Sequence, residues 1–332
     1  MIDDLMPLPA THPPTALAIA ARYSLETYRA GLAAHTRRRQ DADLALFARY
    51  LSVVGLQAGD LATEPPAWAG ITWGLVEGFG QWCLKQGYAV GSVNVRLSTV
   101  KVSAREATRA GVISPEAFAL IETVKTVRHA RGRHIDEQRP VTRVGDKKAA
   151  PVSITAEQAR ALKAQPLDTP QGRRDALLMC LLLDHGLRVG EIAGLPASAI
   201  DLKRKTLTFF RSKVDKVQTH NLTIDTLVAA SAYLATDAPA AGPLLRGSRK
   251  NGQLVGAVGT RSMSDRVRVL GEAVGIKGLS PHDCRHYWAT AAVRGGTDIK
   301  ALQDAGGWSS PAMPLRYAEA GAIANAGVKL GE

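Results

Sequence analysis

Through the first 130 residues, apolar side chains return at the period of a helix that buries one face. From Ser24 to Gly55 they include Leu25, Tyr28 and Leu32, then Leu44, Phe47 and Leu51, which predicts one helical stretch. A proline-rich connection over 62–70 follows, after which Trp73, Val76, Phe79 and Trp82 lie near one face between Ile71 and Gln86. Gly87 breaks that pattern, and Ser92 opens another helix with Val93, Leu97 and Val100 inward and Asn94, Arg96 and Lys101 outward. A last helix is expected from Pro115 to about His129. No strand alternation occurs before residue 140, so this part reads as a small helical bundle.

The pattern changes in the second half. Thr155 and Gln158 have the spacing of a capping box, in which each side chain satisfies the other's backbone N–H. Asp175 to His185 is apolar enough to be buried all round, and Gly186 is a stop signal. Thr206–Phe210 and Gln218–Ile224 alternate like strands, and 211–217 between them is a hairpin tip with three cations, Arg211, Lys213 and Lys216. Helix returns over Asp225–Leu234, 236–259 is a loop rich in Gly, Pro and Ala, and Thr260–Val274 is a helix bearing Arg261, Arg266 and Arg268. The fold expected is mainly α with a small antiparallel β-sheet. Four segments follow: a flexible arm over 1–20 with four prolines, a helical domain over 21–130, a basic linker over 131–151, and a second, α+β domain over 152–332.

Composition adds a partner class. Lys plus Arg outnumber Asp plus Glu by 42 to 30, a net charge of +12 that suits a polyanion such as nucleic acid, although simple solubility also accounts for it. The candidate DNA contacts are Arg37 and Arg38 in a basic cluster, Arg96 and Lys101 on a helix face, and Arg131 and Arg133 in the linker. The three cysteines, Cys83, Cys180 and Cys284, are too few and too scattered for a disulfide framework or a zinc cluster, which predicts a reducing, cytoplasmic setting. The first residues carry acids where a secretory signal needs positive charge, and the longest apolar run, Ala176–Leu183, is too short to cross a membrane.

The stretch from Ser280 to Tyr317 carries the densest chemistry. Ser280, Pro281 and Asp283 open a helix, and His282 and Arg285, three apart, share one of its faces. Gly306-Gly307 break the next short helix, Trp308 follows, and Tyr317 comes nine residues later. A histidine, a guanidinium, an indole N–H and a phenol could together handle one phosphate. Taken alone, the same residues could equally be a solvated surface and an ordinary half-buried aromatic. Arg188, at a junction after the buried helix, needs an anionic partner, which could be Glu191 or a substrate phosphate.

In this order, with GLRVGEIAGL around Arg188, a hairpin bearing Lys213, SPHDCRH with His282 and Arg285, GGW with Trp308 and finally Tyr317, the chain resembles the tyrosine recombinase (phage integrase) family from about residue 150 to its end. Residues 20–130 resemble that family's helical, SAM-like core-binding domain in general pattern only. The resemblance implies that Tyr317 attacks a DNA phosphodiester to give a covalent 3′-phosphotyrosine and a free 5′-hydroxyl, which another strand then reverses. Arg188 and Arg285 would hold the charged oxygens, Lys213 (or Lys216) would protonate the departing oxygen, His282 would orient or deprotonate the tyrosine, and Trp308 would donate its indole N–H. His286 would sit behind them, and Tyr287 would pack. No metal or other cofactor is expected, and the partners implied are double-stranded DNA and three further copies of the chain in a tetramer on two sites. A short apolar pattern after Tyr317 could dock on a neighbouring copy or on its own domain.

Two features depart from the family pattern. Trp308 stands where histidine is frequent, so it cannot titrate, and Pro314 is expected to delay the last helix to about Met313, leaving Tyr317 in its first turn. The rival readings are a type IB topoisomerase, which shares the chemistry but reseals the same strand, and a non-catalytic DNA-binding protein of the same fold.

Overall fold

The computed structural model describes residues 25–319 except 146, 147 and 149, so the arm over 1–20 and the apolar pattern after Tyr317 lie outside the described residues. Two units divide between Ala149 and Ala150.

The first unit is all helical. A short helical stretch over 25–30 is followed by α1 (Ala34–Val53), α2 (Trp73–Lys85), α3 (Val90–Arg109), α4 (Pro115–Thr123) and α5 (His129–Glu137). The single helix expected from Ser24 is thus broken at 31–33, where Gly31 and Leu32 form a turn. Phe47, Trp68 and Phe79 form the centre of the core, with ring centroids 5.0 Å apart for Phe47–Phe79 and 6.1 Å for Phe47–Trp68. The buried indole of Trp68 donates to the Leu61 carbonyl at 2.9 Å, so its polar end is satisfied. Trp73, expected inward, is largely exposed.

Two expectations for this unit need correction. The helix from Pro115 ends at Thr123, and the segment expected to be a basic tether begins as α5, whose Ile135 packs against the core. Arg139 also belongs to the fold, donating to the carbonyls of Leu84 and Tyr88 at 2.9 Å. The outward face expected on α3 is only partly outward. Arg96 lies over the Tyr88 ring at 4.1 Å and beside Asp43, and Lys101 donates to the Glu122 and Val124 carbonyls, where a cation complements the C-terminal end of α4.

The second unit is built on α7 (Pro170–Leu183). Every residue of it from Arg174 to Leu183 is buried, which is why its sequence shows no polar face. Packed on it are α6 (Ala156–Lys163), α9 (Ile224–Thr236) and α11 (Pro281–Arg294). The capping box at Thr155–Gln158 is formed as the spacing requires. A three-stranded antiparallel sheet runs β1 (Ile200–Asp201), β2 (Thr206–Arg211), β3 (Lys216–Asn221), with Phe209 opposite Gln218. The loop expected over 236–259 contains a second antiparallel pair, β4 (Arg246–Ser248) and β5 (Leu254–Ala257), too short and glycine-rich to alternate visibly. After it come α10 (Thr260–Ala273), α12 (Ile299–Gly306) and α13 (Ala312–Glu319), and α8 (Val189–Ala193) lies earlier, just after α7. Two α10 arginines are engaged within the fold: Arg266 pairs with the fully buried Asp175 at 2.7 Å and Arg268 with Glu272 at 3.0 Å. Among the described residues no helix is long and apolar enough to cross a membrane.

Candidate active site

The site draws on five elements, α8, β2, α11, α12 and α13. Arg188 is the residue preceding α8, and its own backbone N–H donates to Glu191 at 2.8 Å while its guanidinium donates to the same carboxylate at 2.9 Å. Glu191 is therefore its partner, as one of the two sequence readings had it. That carboxylate is shared: the Arg211 guanidinium, fully buried at the end of β2, donates to both of its oxygens at 3.0 and 2.9 Å. Arg211 is thus not one of three solvated cations at the hairpin tip. Lys213 and Lys216 are exposed there, and Asp215 turns the chain with φ 48°.

On α11, the N-terminus is held by Ser280 and Asp283. The Asp283 carboxylate accepts from the Ser280 N–H at 2.8 Å and from the Val152 N–H at 2.9 Å, so it also anchors the start of the unit. One turn later Arg285 points inward, 3% exposed, and donates to the carbonyls of Gly186 and Gly306. His282 and His286, four apart on the same helix, meet with their Nε2 atoms 3.0 Å apart.

The C-terminal end of α12 supplies the tryptophan. Gly307 adopts a left-handed conformation, φ 60°, and a Cβ there would lie 2.4 Å from Arg211 Cδ. The chain then turns so that the Trp308 ring covers Arg285, with the guanidinium 4.5 Å from the ring centroid. Trp288 of α11, which no sequence signal singles out, stacks behind it at 6.1 Å. Tyr317 sits on α13 with its ring 5.7 Å from Trp308 and 5.1 Å from His286, and it is 5% exposed. α13 starts at Ala312, one residue earlier than expected. Pro314 falls in its first turn, where the missing N–H breaks no helical bond, and Tyr317 falls in its second.

Arg285, Trp308, Tyr317, His286 and His282 are therefore linked in one chain of contacts, and Arg188 is tied through Glu191 to Arg211, which holds the Ala305 carbonyl beside Trp308's turn. Lys213 stands on the exposed hairpin tip. Tyr287 packs against the hydrophobic core. Of the candidate DNA contacts, Arg37, Arg38, Arg131 and Arg133 are exposed, whereas Arg96 and Lys101 are committed to the partners described above.

Electrostatically the site is short of negative charge. Burial is the main cause that pulls Arg285 down to about 9, and the neighbouring Arg188 and Arg211 add to it, while Glu191 and Tyr317 oppose it. Arg211 is lowered for the same first reason. Burial raises Tyr317, and Arg285, Arg316 and Arg188 work against that rise by favouring the phenolate. His286 is lowered by burial and then by His282, so it favours the neutral form. Arg188 and Arg211 thus share one carboxylate, Glu191, whose field also reaches Arg285, and an anion of high charge density would complete the balance. Among the described residues no three His, Cys, Asp or Glu side chains converge to hold a metal ion.

Comparison with known proteins adds the family and the fold. The model of the phage integrase family matches residues 153–322. Tyrosine recombinase XerD of Neisseria meningitidis is 33% identical over 162 residues, which is 47% of this chain and 54% of that protein, so the chain spans about half the length of this relative. Tyrosine recombinase XerC of Pelobacter propionicus is 28% identical over 302 residues, covering 90% of this chain and 88% of that one. Among solved structures, the Tn1549 transposon integrase in complex with transposon right end DNA has a TM-score of 0.62 at 13% identity, covering 90% of this chain and 94% of that one. A λ integrase (75–356) dimer bound to a COC′ core site has a TM-score of 0.58 at 17% identity, covering 94% and 96%. At these identities the structural likeness is one of fold.

Proposed function

This chain belongs to the phage integrase family, and we propose that it is a site-specific DNA recombinase that cuts and rejoins duplex DNA through a tyrosyl–phosphate bond. The observation that carries this reading is the packing of the Tyr317 ring against Trp308 and His286, with the buried Arg285 beneath Trp308. A phenol is a poor nucleophile near neutral pH, because its pKa lies near 10 and burial raises it. A phosphodiester bound between Arg188 and Arg285 would supply both an electrophile and a reason for the proton to leave.

In the first step the Tyr317 oxygen bonds to phosphorus as the bond to the 5′-oxygen breaks. The phenolic proton passes towards the His282–His286 pair. Lys213, carried in on its hairpin once DNA fills the site, gives a proton to the departing oxygen, with Lys216 as the second candidate. In the second step a 5′-hydroxyl of another strand attacks the phosphotyrosine and Tyr317 leaves. The bond energy is conserved throughout, so no nucleotide cofactor is consumed. Arg188, Arg285 and the Trp308 N–H stabilise the charge on the non-bridging oxygens.

Double-stranded DNA is the partner, in keeping with the two integrases of the same fold whose structures contain DNA. Residues 21–130 act as the core-binding domain and residues 152–332 as the catalytic domain, the assembly is a tetramer on two sites, and the setting is the cytoplasm. The test is incubation with a nicked suicide duplex carrying the recognition site, followed by denaturing gel electrophoresis. Wild type should give a covalent protein–DNA adduct, and a Tyr317→Phe protein should bind the DNA and give none. An adduct from Tyr317→Phe would remove the nucleophile assigned here. Relaxation of supercoiled DNA without exchanged junctions on two-site DNA would point instead to a topoisomerase.

A further inference from the structure

At the last turn of α12 three successive carbonyls, those of Asp304, Ala305 and Gly306, accept side-chain donors, and that of Asp304 also accepts the Gly307 N–H at 3.0 Å. Each is taken by a side chain from a different part of the site. Gln218 of β3 donates to Asp304 at 2.6 Å, Arg211 of β2 donates to Ala305 at 2.7 Å, and Arg285 of α11 donates to Gly306 at 2.5 Å. Of the three, Arg211 is the one that also binds a carboxylate. It chelates both oxygens of Glu191, donates through Nε to Gln218, and lies with its guanidinium 4.8 Å from the Phe209 ring centroid. Its side chain is 0% exposed, so it does not meet DNA.

We propose that Arg211 is a positioning residue of the recombination site, joining Arg188, Trp308 and the Lys213 hairpin into one unit. Through Glu191 it governs Arg188. A carboxylate shared between two guanidiniums neutralises neither, so Arg188 keeps charge for a phosphate. Through the Ala305 carbonyl it holds the end of α12, from which Trp308 springs two residues after Gly306. Through β2 it holds the base of the hairpin, two residues before Lys213. A lysine could not replace it. One ammonium cannot present three nitrogens in a fixed plane, as Arg211 does with Nη1 on the carboxylate, Nη2 on the carbonyl and Nε on the amide.

The inference rests on the recombinase reading, and the experiment separates the two. Four proteins are compared in single-turnover cleavage of the nicked suicide duplex: wild type, Arg211→Gln, Glu191→Gln and the double variant, with DNA affinity and melting temperature measured for each. Arg211→Gln should bind DNA within about threefold of wild type and cleave about 100-fold more slowly, the scale expected when reacting groups shift by an ångström. Without Arg211 the whole Glu191 charge falls on Arg188, so Glu191→Gln in the same chain should restore at least about tenfold of the loss. A residue acting only as a strut would leave the double variant as slow as Arg211→Gln or slower. Where Arg211→Gln does not fold, Arg211→Lys, which keeps the buried charge, takes its place and must show the same loss and the same relief. Wild-type cleavage rates in the Arg211 variants, or a double variant without relief, overturn the inference and leave the recombinase reading standing. Absence of any adduct from wild type overturns both.

Discussion

Replacing Gly306 by alanine should separate catalysis from folding. Gly306 is the last residue of α12 and does not have a positive φ, so its backbone accepts alanine without strain. In a helix, alanine is favoured over glycine by about 1 kcal/mol, which works in the variant's favour. The side chain is the difficulty. A Cβ at this position would sit 2.0 Å from Cζ3 and 2.2 Å from Cε3 of Trp308. Ordinary contact begins at 3.4 Å, so the indole must retreat by about 1.4 Å. Trp308 is half-buried and has room to move outward, which limits the cost in stability. The retreat nonetheless takes the ring off Arg285, now 4.5 Å beneath it, and away from Tyr317 at 5.7 Å. A displacement of this size costs a well-placed active site roughly 100-fold in rate. The assay is single-turnover adduct formation on the suicide duplex at saturating protein, with thermal melting and near-UV circular dichroism as controls for fold and tryptophan environment. Expected are a melting temperature within a few degrees of wild type, an altered near-UV spectrum and cleavage slowed by roughly two orders of magnitude. A folded Gly306→Ala protein that cleaves within twofold of wild type would refute the claim that Trp308 and Arg285 must hold this geometry.

Three further outcomes follow from the same structure. Asp283→Ala removes the acceptor for two backbone N–H groups and the Ser280 hydroxyl at a site 2% exposed, so stability should fall by about 2–4 kcal/mol, seen as a melting midpoint lowered by roughly 5–10 °C. His185 and His220 stack at 5.7 Å and are each pulled down to about 4, first by burial, so the folded chain keeps them neutral while an unfolded chain protonates them near 6.5. Their contribution is therefore full above about pH 6.5 and is lost as pH falls towards 4, by about 3 kcal/mol for each, and in urea melts His220→Phe should reduce that slope. Arg37→Ala with Arg38→Ala should weaken DNA binding without regard to sequence and lower the salt dependence by about two counterions, measured by fluorescence anisotropy across a salt series; an unchanged salt slope would remove both from the interface.

What the residues alone determined is what neighbours in the chain decide. The Thr155–Gln158 box, the Ser280–Asp283 start of α11 and the left-handed Gly307 are interactions across three or four residues, so their spacing is their structure. The His282, Arg285, Trp308 and Tyr317 grouping was legible only through the order of motifs that resembles a known family, since these residues lie on or beside three separate helices that the tertiary structure packs together. The fate of individual cations was not legible. Arg211 reads as a hairpin-tip cation and is buried because its partners, Glu191 and the Ala305 carbonyl, lie 20 and 94 residues away. Arg96 reads as outward and turns onto Tyr88 because Asp43 approaches from another helix. A guanidinium enters a core only when enough acceptors meet it there, and no local pattern records which distant carbonyls and carboxylates the tertiary structure will bring.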